Sequence, residues 1–308
     1  MNNVKIKGSK VKMKLLITGA NGHSGQIFLE NLSRSNSNKY KEIHVIVRNE
    51  TLDKFIEDSN LNIIKHKGDL KDNKFLYEVT KGIDTILHIA GIQMSKQLFE
   101  VAIKNNVNWI VAIHTTGRYS QFKMASEEYI KIEDYLLTLR DKINITILRP
   151  TMIYGSSRDR NMYKLIKFID KSPIFPMFGN GKNLMQPVTA IDLAKAYQQV
   201  LDNEEICINQ NYNLSGKYSV KYKDLIRTVA TKLNKKIILI PIPIKLSFYA
   251  VMLGNRILPK FPLNEEQVLR MKEDKDFTYL KAERDFGYSP MSFEEGIENE
   301  IKEYKEGK

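Results

Sequence analysis

The fold of this chain is decided by Lys14-Leu15-Leu16-Ile17-Thr18-Gly19-Ala20-Asn21-Gly22-His23-Ser24-Gly25. The apolar run at its start has no polar interruption and predicts a strand buried on both faces, while the apolar spacing of residues 26–32 predicts a helix. Three glycines lie between the predicted strand and the predicted helix. Gly19 can adopt the dihedral angles of a tight turn, Gly22 lets the backbone approach a pyrophosphate, and Gly25 lets the helix pack closely on its strand.

This turn between a strand and a helix is predicted to bind a dinucleotide. The first N–H groups of a helix have no partner within the helix, and the helix N-terminus carries the positive end of the dipole, so both favour phosphates. Glycine-rich turns also occur with nothing bound, but the position after a strand and before a helix favours a nucleotide site. The predicted cofactor-binding residues of the turn are Gly19, Asn21, Gly22, His23, Ser24 and Gly25.

The residues that follow repeat this rhythm of strand and helix. Apolar, β-branched runs predict further strands, and the segments between them have the spacing of helices. The predicted strands are residues 42–47, 61–68, 82–91 and 109–114, and the predicted helices are residues 71–80, 96–104 and 124–139. Strands and helices that alternate in this way form a parallel sheet covered on both faces. The predicted fold class is therefore α/β, a doubly wound Rossmann sheet with a smaller C-terminal lobe.

The composition is that of a globular protein, with 42% hydrophobic and 27% charged residues. A single cysteine, Cys207, excludes an internal disulfide framework and is typical of a reducing compartment. No apolar run is close to the length of a membrane span, which is about 20 residues. No signal-peptide pattern opens the chain. We therefore expect a cytoplasmic protein without a membrane span, and a flexible tail over residues 1–12.

The net charge of +12 and the pI near 9.4 favour an anionic partner, such as a phosphorylated ligand, a nucleic acid or an acidic membrane face. The lysines are spread along the whole chain among acidic residues, however, and the sequence has no basic helix or aromatic-interleaved patch of the kind that binds nucleic acid. We expect a small anionic substrate and no nucleic acid.

Thr18 and the three glycines form the pattern TGxxGxxG, which resembles that of the short-chain dehydrogenase/reductase superfamily. Two later stretches extend the resemblance. Residues 145–155 resemble the LRPxxxYG stretch of that superfamily, and residues 179–194 resemble its substrate loop and VxVxDxA segment. From about residue 13 to residue 303 the chain is similar to the extended (atypical) members, the NAD(P)-dependent epimerase/dehydratase-like family.

The resemblance implies further cofactor contacts at the ends of the predicted strands. Asp69-Leu70 would lie beside the adenine ring, Ala90-Gly91 would line the cofactor, and Pro150 would border the nicotinamide. His88, at the same strand end as Ala90-Gly91, is interpreted as structural rather than catalytic.

Arg48 stands at the end of the second predicted strand, where the side chain reaches the adenosine ribose. An acidic residue at this place selects NAD, whereas an arginine accommodates the 2′-phosphate of NADP. No acid stands here, since Glu50 lies two residues further on. Arg48 therefore predicts NADP as the cofactor, with NAD less favoured, and the alternative is an arginine that only faces solvent.

Tyr119 and Lys123 follow the fifth predicted strand with the spacing YxxxK. Residues four apart on one helix lie on the same face, so the ammonium of Lys123 would favour the phenolate of Tyr119. Such a phenol suits a proton transfer beside a hydride transfer. Glu127 completes the YxxxKxxxE form seen in extended members, and the resemblance implies that Lys123 also holds the nicotinamide ribose. Tyr119 is the predicted acid/base, and the alternative is a packed aromatic residue at a helix start.

Thr116 is the candidate to hydrogen-bond the reacting oxygen. In the superfamily that hydroxyl normally lies much further before the tyrosine, whereas Thr115 and Thr116 lie only four and three residues before Tyr119. A loop is therefore missing, and we expect a site with a more open mouth than typical sugar-nucleotide enzymes have.

The second half is predicted to contribute to both domains. The NAD(P)-binding domain is expected to comprise residues 13–150 with about 188–214, and the substrate lobe residues 151–187 and 215–308. Asp192 is expected to cap or anchor the helix that follows it. Residues 237–258 are apolar and broken by prolines, and they either line the substrate lobe or rest on a membrane surface; the prolines favour the lobe.

The resemblance implies an NADP(H)-dependent oxidoreductase or epimerase that transfers hydride at a secondary alcohol or ketone. An anionic nucleotide sugar is the favoured substrate, while steroid-like and flavonoid-like alcohols stay open, as does the choice among reduction, dehydration and epimerisation. The competing interpretation is a cofactor-bound regulator or scaffold without turnover, which the short spacing before Tyr119 favours. Dimerisation through the helix predicted to carry Tyr119 is common in such proteins, and a homodimer stays open.

Overall fold

The computed structural model describes residues 13–35, 39–48, 59–159, 161–258 and 263–307, without the side chains of residues 123–125. The predicted tail over residues 1–12 and the position of Glu50 lie outside the described residues.

The strands in the described part of the chain are short and mostly apolar. They are β1 (Met13–Thr18), β2 (Tyr40–Val47), β3 (Ile63–Lys67), β4 (Thr85–His88), β5 (Trp109–Ile113), β6 (Asn144–Pro150), β7 (Ile153–Tyr154), β8 (Ile174–Phe178), β9 (Leu184–Met185), β10 (Val188–Thr189), β11 (Asn211–Leu214), β12 (Val220–Lys221) and β13 (Ile238–Ile242).

The helices of the described residues alternate with the strands in the first half and cluster in the second. They are α1 (His23–Arg34), α2 (Asn73–Val79), α3 (Ser95–Lys104), α4 (Lys123–Leu137), α5 (Met162–Lys171), α6 (Ala190–Asp202), α7 (Glu204–Cys207), α8 (Tyr222–Lys232), α9 (Ile244–Ile257), α10 (Glu265–Leu269), α11 (Leu280–Phe286) and α12 (Phe293–Glu306). Among these helices, none combines the length and the apolar character that crossing a bilayer would need.

A seven-stranded parallel sheet forms the centre of the described structure, with the strand order β11-β6-β5-β4-β1-β2-β3. The chain starts at β1, moves outward through β2 and β3, and returns to the other side of β1 with β4. The strand order therefore reverses beside β1, and doubly wound sheets bind ligands outside the carboxyl ends of their strands at such a point. The predicted fold class is confirmed.

Alternate residues of β1 enter two different cores, because successive side chains of a strand point to opposite faces. Leu15 and Ile17 belong to the cluster that includes α1 and α6, whereas Leu16 belongs to the cluster that includes α3 and α4. Helices cover both faces, which explains why the strands of this sheet are continuous apolar runs.

A third apolar cluster lies in the part of the chain predicted to form the substrate lobe. It is built from α5, α8 and α12, and the two-stranded sheets β9/β12 and β8/β13 lie in the same part of the sequence, whereas β7 pairs with β10 of the segment assigned to the other domain. The boundaries proposed for the two domains stay a prediction.

Asp192 anchors its helix but is not the N-cap. The N-cap is Thr189, whose side chain accepts the N–H of Asp192 at 3.0 Å. The Asp192 carboxylate in turn accepts the Thr189 hydroxyl at 2.8 Å and the N–H of Met291 at 3.2 Å. Asp192 thus ties the start of α6 to the segment that leads into α12.

Candidate active site

The turn after β1 has no room for side chains at two of its glycines. Gly19 has a φ of 78°, and a Cβ there would lie 2.9 Å from the amide nitrogen of Ala90, which together with Gly91 follows β4. A Cβ on Gly25 would lie 2.5 Å from the carbonyl oxygen of Gly19. Gly22 closes the turn by donating its N–H to that same oxygen at 2.9 Å. The close packing of β1, β4 and α1 leaves bare backbone at the turn, which suits a pyrophosphate.

The N-terminus of α1 begins directly after this turn. Its N-cap is Gly22, which has no side chain to cap the helix, and the first turn of α1 carries no acidic residue. The N-terminus of such a helix favours the binding of an anion. Nε2 of His23 lies 3.1 Å from the carbonyl oxygen of Gly155, and the hydroxyl of Ser24 accepts that of Tyr197 at 3.3 Å. His23 and Ser24 therefore connect the turn to the second half of the chain.

Arg158 brings a cation to the turn and was missed by the sequence analysis. Its Nη1 donates to the carbonyl oxygen of Asn21 at 3.2 Å and to Oε1 of Gln26 at 2.8 Å. The contact joins residues more than a hundred positions apart, so no local pattern could have indicated it. The guanidinium adds positive charge beside the N-terminus of α1.

The predicted adenosine contacts lie at the carboxyl edge of β2 and β3. Arg48 directly follows β2 and is exposed. After β3, the carboxylate of Asp69 accepts the N–H of Lys71 at 3.0 Å, and Leu70 is half-buried against the second core. The roles of Arg48 and Asp69-Leu70 toward a cofactor stay predictions.

Tyr119 ends a short 3₁₀ turn, Thr116–Tyr119, which follows β5. Nη1 of Arg149 donates to its hydroxyl oxygen at 2.9 Å, and the hydroxyl donates to Oδ1 of Asn213 at 3.3 Å. The ring of Phe277 lies 5.5 Å away between centroids. The side chain is nevertheless 45% exposed. The phenol is thus held by residues of β6 and β11 and is still accessible, as an acid/base must be.

The prediction that Tyr119 and Lys123 lie on one helix face is wrong. The backbone is extended at Ser120, and α4 begins only at Lys123. Glu273 holds this break, because its carboxylate accepts the Ser120 hydroxyl at 2.9 Å and the N–H of Gln121 at 2.6 Å. The N–H of Gln121 is bound to this carboxylate and not to a helical carbonyl, so the side-chain contact competes with a helix here. The side chain of Lys123 lies outside the described part of the structure, so its role stays a prediction.

Thr116 is buried, and its hydroxyl donates to the carbonyl oxygen of Pro150 at 3.2 Å. Thr115 accepts the N–H of Gly117 at 3.0 Å and so caps the same turn. Both threonines fix the turn that carries Tyr119, and Thr116 ties it to the end of β6. A contact of Thr116 or Pro150 with substrate or cofactor stays a prediction.

A chain of buried polar groups connects the glycine turn to Tyr119. Its first links run from Thr18 Oγ1 to His88 Nδ1 (2.6 Å), from His88 Nε2 to Ser95 Oγ (3.1 Å), from Ser95 Oγ to His114 Nε2 (3.3 Å) and from His114 Nδ1 to Glu133 Oε2 (3.2 Å). Burial lowers the pKa of His88 to about 3, and His114 acts in the same direction. His88 is therefore neutral, in agreement with its interpretation as a structural residue.

Glu133 is the centre of this network. Its carboxylate accepts Nε of Arg149 at 2.9 Å and also binds Arg118. Burial opposes its charge, but the hydrogen bonds from His114 and Arg149 outweigh burial and lower the pKa of Glu133 to about 2. An ionised carboxylate fixes the guanidinium of Arg149, which in turn holds the Tyr119 hydroxyl.

Most of this network could not be predicted from the sequence. Glu133 lies on α4 among other acidic residues, and nothing in its local pattern distinguishes a buried carboxylate from an exposed one. Arg149 was noted only as a letter of the LRPxxxYG stretch, and His114 only as the end of a strand. Arginine directly before Pro150, at the end of a buried strand, was the one available signal, since a buried charge needs a partner.

Comparison with known proteins supports the assignment drawn from these residues. The profile of the 3-beta hydroxysteroid dehydrogenase/isomerase family matches residues 16–112. A relative from Escherichia coli O157:H7, N-acetyl-alpha-D-glucosaminyl-diphospho-ditrans,octacis-undecaprenol 4-epimerase, is 23% identical, and the match covers 93% of this chain and 94% of that protein. The predicted resemblance to the extended short-chain dehydrogenases/reductases is confirmed.

Two solved structures share the fold over nearly the whole chain. A UDP-glucose 4-epimerase of Thermotoga maritima, crystallised with UDP-glucose, has a TM-score of 0.72 at 16% identity, covering 96% of this chain and 99% of its own. A dTDP-glucose 4,6-dehydratase of Streptomyces venezuelae, crystallised with NAD, has a TM-score of 0.69 at 17% identity, covering 96% and 97%. At these identities the two structures show the fold alone, and the prediction of an enzyme is borne out by the family match and the E. coli relative.

Proposed function

We propose that this chain is an NADP(H)-dependent enzyme that transfers hydride at a secondary alcohol or ketone of a diphosphate-linked sugar, with epimerisation at the sugar C4 as the first choice. The observation that carries the proposal is the accessible phenol of Tyr119, held by Arg149 at the sheet edge that also carries the glycine turn. The sequence relative is named as a 4-epimerase, and the T. maritima structure is that of another.

The cofactor would be held by the glycine turn and the residues beside it. Gly19 and Gly25 supply bare backbone, the N-terminus of α1 favours the pyrophosphate, and Arg48 would pair with the 2′-phosphate of NADP. When bound, the nicotinamide accepts and returns a hydride. Arg48 is the sole basis for preferring NADP, because the dehydratase structure named above contains NAD.

Tyr119 would exchange a proton with the oxygen of the reacting carbon. Arg149 donates to its hydroxyl oxygen and Asn213 accepts its proton, so the two residues fix the position of the phenol. Lys123 would hold the nicotinamide ribose, and Thr116 would bond the substrate oxygen once its hydroxyl leaves Pro150. Arg149 is thus a positioning residue that acts through Tyr119.

The substrate is proposed to carry an anionic diphosphate. The net charge of +12 favours such a group. A nucleotide diphosphate sugar is the first candidate. A sugar diphosphate on a polyprenol is the second, since the name of the E. coli relative specifies one.

A regulator or scaffold that binds NADP without turnover is the second candidate function. It is favoured by two observations: the hydroxyl of Thr116 is bonded to Pro150, and Tyr119 and Lys123 do not share a helix. In the proposed enzyme, Thr116 would have to release Pro150, and Lys123 would have to act from a helix that does not include Tyr119.

An assay of conversion separates the two functions. The protein is incubated with NADP⁺ or NAD⁺ and with UDP-glucose, UDP-N-acetylglucosamine or dTDP-glucose, and the sugars are separated by chromatography and identified by NMR. We expect the C4 epimer or the 4-keto sugar from at least one of them. Tight binding of NADPH in a fluorescence titration, without conversion of any of the three or of a sugar diphosphate on a polyprenol, would support the regulator instead.

A further inference from the structure

One face of α9 is apolar and exposed along its whole length. Leu246, Tyr249, Leu253 and Ile257 are each between 55% and 66% exposed. At about 100° per residue these four side chains lie within an arc of about 80°, and they extend over about 16 Å of helix. We call this set the α9 stripe. Four large apolar side chains in one exposed row are unusual for a surface helix. They indicate a surface that binds another protein or a membrane.

The α9 stripe is not the face by which the helix packs on its own chain. Ser247 and Val251 are buried, and they lie on the opposite side of the helix from the stripe. The packing of α9 on the protein is therefore complete without the stripe.

The paired strands β8 and β13, which precede α9 in this lobe, add further exposed apolar residues. Ile174 and Ile238 are direct partners in the β8/β13 pair, and both are exposed, as is Ile240. Alternate residues of the same strands, such as Phe175 and Leu239, pack against the third core. One face of this small sheet thus packs on the third core, and the other face exposes isoleucines to solvent.

The sequence around the α9 stripe is strongly basic. From residue 225 to residue 264 the chain has no Asp or Glu, and it has seven basic residues, namely Arg227, Lys232, Lys235, Lys236, Lys245, Arg256 and Lys260. This stretch alone carries +7 of the net charge of +12. Lys245 and Arg256 are exposed on α9 and lie next to the Tyr249 edge of the stripe.

We propose that α9 lies flat on an anionic membrane surface, with the α9 stripe inserted among the lipids and with Lys245 and Arg256 at the phosphates. An interfacial helix has this character: an apolar face at the acyl boundary and Lys and Arg at its rim. Tyr249 is suited to the boundary, because tyrosine combines an apolar ring with a polar hydroxyl. Each basic residue near an anionic leaflet adds to the attraction, which salt screens.

A second copy of this chain fits the surface less well than a membrane. A two-fold interface places the same patch of both subunits face to face, so the exposed Lys245 and Arg256 of one copy would meet those of the other. Like charges brought together at an interface oppose association. An anionic bilayer offers the apolar interior and the negative charge together.

The helix that carries the α9 stripe is linked to the candidate active site through the chain that follows it. α9 packs on α10, the chain then forms the short turn Arg270–Lys272, and Glu273 directly after it binds Ser120 and Gln121 beside Tyr119. A docked α9 would thus hold the segment that carries Glu273 at the membrane.

Vesicle co-sedimentation of the full chain tests the proposal. The wild type is compared with the double variant Leu246→Glu/Leu253→Glu, using vesicles of phosphatidylglycerol and phosphatidylcholine in equal parts and vesicles of phosphatidylcholine alone. We expect the wild type to sediment with the anionic vesicles and to be released by salt. The double variant should lose at least about tenfold in partition, because inserted leucines are replaced by carboxylates.

Leu280→Glu is the matched control, since Leu280 is equally exposed but lies on α11. It should sediment like the wild type, and unchanged thermal unfolding of all variants shows that they are folded. Wild-type protein that stays in the supernatant, or a double variant that sediments like the wild type, would overturn the proposal. A vesicle-independent dimer that the double variant converts to monomer would overturn it as well, in favour of a second copy.

Discussion

Arg48 is the residue on which the choice of cofactor depends. A charge-assisted hydrogen bond contributes about 1.5–3 kcal/mol, so pairing with the 2′-phosphate should favour NADPH by about 10- to 100-fold. We expect Arg48→Asp to lower the affinity for NADPH by that factor and to leave the affinity for NADH unchanged or higher. Fluorescence titration with both reduced cofactors measures the ratio.

Lys104→Asp is a matched control for this experiment, since Lys104 is an exposed cation at the end of α3. It should leave the ratio of the two affinities unchanged. If Arg48→Asp also leaves the ratio unchanged, Arg48 only faces solvent and the basis for NADP is lost.

His88 should make the stability depend on pH. Its folded pKa of about 3 lies below the unfolded value of 6.5. Below pH 6.5 the unfolded chain therefore takes up a proton that the folded chain does not, so stability present above pH 6.5 is lost as the pH falls towards 3. Between pH 7.5 and pH 5 this lowers the free energy of unfolding by about 2 kcal/mol. Chemical denaturation at the two pH values measures it.

In His88→Gln the difference between the two pH values should shrink by about that amount, whatever the overall loss of stability. Ser95→Ala disrupts the same network without removing a titrating group, so it should keep the difference. Burial also lowers the pKa of His114. His114 therefore adds to the loss of stability at low pH in the wild type and in both variants. An unchanged difference in His88→Gln would mean that His88 is not the group that titrates.

At the scale of elements, the strands of the sheet were predictable and the segment after Tyr119 was not. β1, β4 and β5 are buried on both faces, so their apolar runs show in the sequence alone. The break before α4 depends on Glu273, which lies 153 residues from Ser120. Local spacing can predict a helix but cannot show that a distant carboxylate accepts the Ser120 hydroxyl and the N–H of Gln121.

Glu273→Gln tests whether this contact shapes the loop beside Tyr119. The amide keeps one acceptor but loses the charge that binds the Ser120 hydroxyl and the Gln121 N–H. We expect faster hydrogen exchange over residues 117–123 and a lower turnover with unchanged binding of NADPH. Glu283→Gln, a change of an exposed carboxyl on α11, should alter neither. Equal exchange in the Glu273 variant and the wild type would contradict the role given to Glu273.

At the scale of the whole molecule, the candidate site is assembled from both halves of the chain. The glycine turn comes from the first strand, Tyr119 follows the fifth, and Arg149 and Asn213 come from β6 and β11. Motifs located the turn and Tyr119, because short spacings carry them. Glu133, Arg158 and Asn213 could not be located, because their roles depend on which elements become neighbours in the folded protein.

The central claim is that the phenol of Tyr119 transfers the proton in an NADP(H)-dependent reaction, and Tyr119→Phe tests it most directly. Turnover of the sugar found in the conversion assay and the Kd of NADPH are measured for the wild type, Tyr119→Phe and Tyr77→Phe, whose tyrosine is similarly exposed on α2. We predict that Tyr119→Phe loses about 10²- to 10⁴-fold in turnover with an unchanged Kd, and that Tyr77→Phe behaves like the wild type. Full turnover in Tyr119→Phe would contradict the account.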